Sequence, residues 1–145
     1  MKKTILILAT LILFSACSKD DEKSDTVEVK HENLWGTWYF SKVIQTDGTI
    51  VPYTNLCSTQ RDYITVTTLN KIILSTNNTV CTNYTNYDCS SFGLTGNELH
   101  GCNSKFDGFV SLTTSTFRID YPTVRHVGYP DNNLGQAKGI IFTKN

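Results

Sequence analysis

No apolar stretch in this chain approaches the roughly 20 residues that a helix needs to cross a bilayer. The longest greasy run, Ile5 to Phe14, is about half that length, so a spanning anchor is not expected. A surplus of one charge is missing too, because 13 Lys and Arg balance 13 Asp and Glu. With no basic patch, a nucleic-acid partner is not expected. Helical periodicity never persists for the ten or so residues that a helix needs, and Thr and Asn are too common for stable helix. There is no Cys-x-x-Cys pair, which removes the commonest zinc spacing. No Gly-x-Ser-x-Gly, His-Glu-x-x-His or phosphate loop occurs, so the usual signatures of hydrolases and nucleotide enzymes are absent. No internal repeat at a fixed period is present, and Ser75 to Tyr87 is biased toward Thr and Asn without being truly low in complexity.

What is present begins at the N-terminus. Lys2 and Lys3 precede the apolar run, and the small pair Ser15 and Ala16 follows it. Charge, then grease, then small residues is the layout of a secretory signal. Phe14-Ser15-Ala16-Cys17 resembles the lipobox of bacterial lipoproteins, where small side chains admit the signal peptidase and the thiol takes a diacylglycerol. The resemblance implies a signal peptide over 1–16, cleavage before Cys17, and a membrane partner held through lipid on Cys17. Several acyl chains give stable anchoring, since each buried methylene contributes about 0.8 kcal/mol. An ordinary signal peptide ending in a chance cysteine is the alternative account.

Ser18-Lys19-Asp20-Asp21-Glu22 resembles the export signal that some Gram-negative bacteria place after the lipidated cysteine of surface lipoproteins. It implies an outer-membrane, cell-surface location; a solvated charged tether is the plainer account. The segment 17–32 is rich in Asp, Glu, Lys and Ser with scarcely an apolar residue, so it is expected to stay a flexible linker. About 15 residues of such coil reach on the order of 20 Å. Removing Lys2 and Lys3 leaves 11 basic against 13 acidic residues, a net charge of −2. The remaining 33–145, about 110 residues, suits one domain with one core.

From Trp35 onward, β-branched and aromatic residues recur in short runs parted by Gly, Asn, Asp, Pro and Ser. That pattern predicts an all-β sandwich or barrel. The expected strands are Trp38 to Gln45, Thr49 to Tyr53, Asp62 to Leu69, Lys71 to Ser75, Thr79 to Tyr84, Cys89 to Leu94, Glu98 to Asn103, Phe109 to Thr113, Thr116 to Tyr121 and Gly139 to Thr143. Asp47-Gly48 reads as a two-residue hairpin turn with positive φ at both central positions. Pro122 to Gln136 is the one long connection.

Once Cys17 is lipidated, Cys57, Cys81, Cys89 and Cys102 remain in a small exported domain, where disulfides are the default. A Thr95-Gly96 turn would make Cys89 and Cys102 a facing, non-hydrogen-bonded pair with Cα atoms about 4.5 Å apart, within bridging range. A Gly96-Asn97 turn would instead set Cys102 opposite Ser91, with Cys89 diagonal and a strained bridge, although a bulge could restore the facing pair. Thr is a poor residue at positive φ, which favours the second turn. The expected pairing is Cys89 with Cys102, and Cys57 with Cys81 follows by elimination. Each bridge would contribute on the order of 3 kcal/mol.

Leu34-Trp35-Gly36-Thr37-Trp38 opens the folded part, and its Gly-x-Trp at the start of the first strand resembles the opening motif of lipocalins. An Asp-Gly turn, a Cys before a Tyr/Ile/Val/Thr strand, the Leu94-Thr95-Gly96-Asn97-Glu98-Leu99 hairpin and the Ser111 to Phe117 pair follow in order. Over Leu34 to about Tyr121 the chain is similar to the lipocalin-like domain of short bacterial surface lipoproteins. The resemblance implies a small up-and-down antiparallel β-barrel of about eight strands, with Gly36 and Trp38 as its structural motif and Trp38 closing the floor. Lipocalins also carry an Arg near the end of the last strand that packs on the Trp. Here Gly139 to Asn145 offers only Lys144, and a long C-terminal helix is missing.

A barrel of this size is filled by side chains or holds one small ligand. Two functions therefore stand side by side: binding of a small apolar molecule or a surface protein, and a ligand-free accessory role in the envelope with a filled barrel. Tyr84 and Tyr87, among Thr and Asn, have the composition of recognition loops, though a plain solvent loop has it too. An enzyme is not expected: His31, His100 and His126, the last near Asp120 and Asp131, are isolated histidines. Asp131 to Gly135 has a calcium-loop flavour with the wrong ligand spacing. Asn77-Asn78-Thr79 and Asn83-Tyr84-Thr85 match a glycosylation pattern that a bacterial lipoprotein signal makes irrelevant. No cofactor and no metal are expected.

Overall fold

The computed structural model describes residues 25–102, 106–126 and 136–145. The signal peptide, Cys17, the Ser18 to Glu22 motif and the Asp131 to Gly135 loop therefore lie outside the described residues. In chain order the elements are α1 (His31–Leu34), β1 (Gly36–Gln45), β2 (Ile50–Pro52), β3 (Tyr63–Val66), β4 (Ile72–Asn77), β5 (Asn83–Cys89), β6 (Gly93–Thr95), β7 (Glu98–His100), β8 (Gly108–Leu112), β9 (Thr116–His126) and β10 (Gln136–Thr143). The strands form one sheet of neighbours in the order β5-β4-β3-β1-β10-β9-β8-β7-β6, with β2 also paired to β1. Every ladder is antiparallel. The sheet curls so that one face encloses a single apolar core.

Alternation along each strand explains which face is buried. On β8, Val110 and Leu112 point in while Phe109 and Ser111 point out. On β9, Phe117, Ile119 and Tyr121 are buried. On β1 the ladder slips between Phe40 and Lys42. The Ser41 carbonyl there accepts from the Tyr53 backbone N–H at 2.8 Å, and beyond this bulge Val43 and Ile44 are both buried.

Several local expectations are corrected. The Asp47-Gly48 hairpin is a longer loop: Gly48 N–H donates to the Gln45 carbonyl at 3.0 Å, and of the two residues only Gly48 has positive φ, 90°. The run from Thr79 does not pair until Asn83. The Asn78 side chain accepts from the Val80 and Thr82 backbone at 3.0 and 2.9 Å, a local turn that outcompetes the ladder. The expected strand from Cys89 to Leu94 is broken at Ser90 to Phe92, and Glu98 to Asn103 pairs only through His100. The hairpin turn is Gly96-Asn97, with Thr95 opposite Glu98 and Gly96 at φ 60°. Ten strands contribute rather than about eight, and the hydrogen-bonded path has two ends, β5 and β6, instead of a continuous ring.

The linker expectation also changes. Val27 N–H donates to the Leu112 carbonyl at 2.8 Å, Thr26 bridges Thr113, and Val27 and Val29 pack on the core. Thr26, Glu28 and Lys30 face solvent in alternation with them. Two valines at alternate positions suffice for one strand-like strap, because the β8 edge supplies the hydrogen bond that a free coil would lack.

Candidate functional site

Two ends of the curled sheet carry the residues singled out above. At the first, Trp38 is fully buried and its indole N–H donates to the Leu34 carbonyl at 2.6 Å. Its ring meets Phe117 edge-on at 5.5 Å, and the Lys144 ammonium sits 4.3 Å from the ring centroid. Lys144 is held there by its own backbone N–H, which donates to the Ser115 carbonyl at 3.0 Å. Gly36, at φ 121°, makes the bend from α1 into β1 that a side chain would oppose. The strap of residues 26–30 and α1 crosses the same end.

The interior between the ends is threaded by aromatic rings. Trp38 touches Phe117, Phe117 stacks on Phe142 at 5.4 Å, Phe142 meets Phe40 at 4.7 Å, and Phe40 meets Tyr53 at 4.7 Å. Each ring is at most 9 % exposed, and Ile64, Ile72, Leu99, Leu112, Ile119 and Ile140 fill the space around them.

The chain of rings ends in a polar cluster that sequence reasoning missed. Asp62 is fully buried. One carboxylate oxygen accepts from the Asn77 backbone and side-chain amide at 2.7 and 3.2 Å, and the other accepts from the Tyr53 hydroxyl. Its backbone N–H donates to Asn55 at 2.7 Å. Buried polar oxygens demand such donors. The signal was available, because Asp62, Ile64 and Val66 share one parity of β3 and that parity points in. Beside the cluster, Cys57 and Cys81 form a disulfide with Cα atoms 4.9 Å apart, tying the 53–62 loop to the β4–β5 turn.

Cys89 and Cys102 form the second disulfide, with Cα atoms 5.1 Å apart. The hairpin has the register in which a bridge was expected to be strained. The difficulty does not arise, because Cys89 ends β5 outside that hairpin and Gly101, at φ 93°, redirects the chain after β7. The bridge thus links the two end regions of the sheet.

The remaining candidates are dispersed. His31 packs on Phe92 at 5.0 Å, and His100 shares a hydrogen bond with the Thr95 hydroxyl at 3.1 Å. The side chains of His126 and Tyr87 fall outside the described residues. Asp120 is engaged by the Arg118 guanidinium through two bonds of 2.7 and 2.6 Å, which also raises the Arg118 pKa. Tyr84 is exposed, and its hydroxyl accepts from Asn78 at 3.2 Å. Among the described residues no group of three or more His, Cys, Asp or Glu could hold a metal ion. No family model, curated protein or solved structure matches the chain.

Proposed function

We propose that this chain is a lipoprotein anchored through Cys17 to the outer membrane of a Gram-negative cell and displayed at its surface. Its domain is a lipocalin-like barrel plugged by its own side chains, and it acts by binding a protein partner through its surface rather than a small molecule in its interior. The continuous contact of buried rings from Trp38 to Tyr53 carries this reading, since it occupies the axis that a ligand cup would need.

The lipocalin-like assignment rests on topology and on the floor. Successive strands are neighbours, and β10 returns to β1. Because β5 and β6 run in the same sense on either side of Ser90 to Phe92, they count as one bent strand that pairs with β4 by its first part and with β7 by its last. On that count eight strands follow one another in up-and-down order, with the hydrogen-bonded path open between β5 and β6. Lys144 over Trp38 stands where lipocalins place an arginine. At the end away from Trp38, Ile50, Val80 and Tyr84 are exposed among Thr and Asn, a composition suited to recognition.

Native mass spectrometry of the protein released from its membrane tests the plugged interior. The expected mass is the polypeptide plus its acyl groups. A stoichiometric small apolar molecule that survives desalting would overturn it. Palmitate incorporation that requires Cys17 tests the anchor.

A further inference from the structure

The strap changes how far the domain can stray from its anchor. Cys17 stands eight positions before Asp25, where the described chain begins beside Thr113. Even fully extended, eight residues span at most about 27 Å. A domain of about 110 residues is about 34 Å across, from its expected radius of gyration of about 13 Å. A tether this short cannot carry the far end of the domain to the bilayer without wrapping the chain around the outside of the sheet. The end that receives the strap is therefore the end held against the lipid.

That end exposes apolar surface. Trp35 is 39 % exposed and Leu69 is 73 % exposed. Register sets both at one end of the β1/β3 ladder, because Gly36 pairs with Val66, Trp35 immediately precedes Gly36, and Leu69 lies in the turn that follows Val66. The turn is fixed by bonds between Thr67 and Lys71 and between Asn70 and Thr67, and the Asn70 carbonyl accepts from the Phe92 backbone at 2.9 Å. Leu69 is thus displayed by a rigid turn. The surrounding charges are mixed, with Lys30 paired to Glu28 and with Lys71 and Lys144 set against Asp25 and Glu32, so no net charge repels a headgroup layer.

We infer that Trp35 and Leu69 form a bilayer-contact surface, which seats the Trp38 end of the domain in the headgroup region and points the Asp62 end away from the membrane. An amphipathic indole is the side chain best suited to that interface. Two side chains alone partition weakly, so the contact depends on the high local concentration that the tether supplies. The inference rests on the lipid at Cys17 and adds the orientation of the domain.

Trp35 and Trp38 are the two tryptophans of the chain, which gives a direct readout. The acylated full-length protein is placed in phosphatidylcholine vesicles whose chains are brominated at a shallow position, and emission is compared with that in unbrominated vesicles. The expected result is about twofold quenching in the wild type and under about 1.2-fold in Trp35→Phe, where only the buried Trp38 reports. Leu69→Asp, an exposed change that leaves the core intact, is expected to reduce the wild-type quenching by at least half. Equal quenching of wild type and Trp35→Phe, in protein whose mass shows acylated Cys17, overturns the orientation while leaving the anchor standing. A mass without lipid on Cys17 overturns the anchor, and the inference with it.

Discussion

Replacing Phe142 by alanine is the most direct test of a plugged interior. The ring is fully buried, 4.7 Å from Phe40 and 5.4 Å from Phe117. A buried aromatic side chain withdraws about 150 Å² or more from water. At about 25 cal/mol per Å² that is worth about 4 kcal/mol, of which the alanine methyl retains about 1. The two ring contacts add about 0.5 to 1.5 kcal/mol each. The expected loss is therefore about 4 kcal/mol, within the range of about 3–5 found for such truncations in packed cores. Urea unfolding with intact disulfides reads it as a midpoint lowered by about 2 M, for a slope of about 2 kcal/mol per M. Total stabilities of about 5–15 kcal/mol leave room for the variant to remain folded. Phe142→Leu, which keeps most of the volume, is expected to lose less than about 1.5 kcal/mol. Benzene is expected to stabilise Phe142→Ala and not the wild type, because only the variant holds a dry cavity. An alanine variant that loses less than about 1 kcal/mol, or a wild type that benzene already stabilises, would mean that the interior has room, and the plugged barrel would be abandoned.

Asp62→Ala strips an acceptor from the Asn77 backbone and side-chain amide and from the Tyr53 hydroxyl, and is expected to cost about 3–5 kcal/mol in thermal or urea unfolding. In that background Tyr53→Phe is expected to add much less than it costs alone, and full additivity would refute the coupling. Lys144→Met is expected to cost about 0.5–1 kcal/mol and to alter the near-UV signal of Trp38, with Lys144→Arg restoring both; an unchanged spectrum would show that the contact is idle. Burial raises the Tyr121 pKa well above the ordinary phenol value, with Arg125 opposing weakly. The unfolded chain then releases this proton first as pH rises through about 10, so the contribution of Tyr121 is present below that pH and lost above it. Stability measured between pH 9 and 11 is expected to fall more steeply in the wild type than in Tyr121→Phe. That variant is also expected to be no less stable at neutral pH, since no described residue pairs with the Tyr121 hydroxyl.

Much of the architecture was legible in the residues. Trp38 to Gln45, Phe109 to Thr113 and Thr116 to Tyr121 show the alternation and β-branched content from which a half-buried strand follows without reference to partners, and those runs lie in β1, β8 and β9. The errors fall where a local bond or a bulge interrupts a ladder. Asn78 folds back on Val80 and Thr82, which delays β5 to Asn83. The bulge at Ser41 inverts parity, so Val43 joins the core that Trp38 and Phe40 enter from even positions, and its neighbour Ile44 is buried outside that core. Asp62 could have been placed inside by parity, but its donors lie on other segments and left no mark in its neighbourhood.

The residue order sufficed for the all-β class and for most of the strands, because those follow from φ/ψ preferences and the two-residue period of neighbours along the chain. Which distant groups meet is another matter. The strap of Val27 and Val29 on β8, the seat of Lys144 over Trp38, the donors around Asp62 and the approach of Cys102 to Cys89 all depend on register and curl. A single bulge, or one glycine at positive φ, shifts every later contact without altering any local preference. Those partners exist only once the sheet has curled over its core, where burial makes each correct pairing favourable and each wrong one costly.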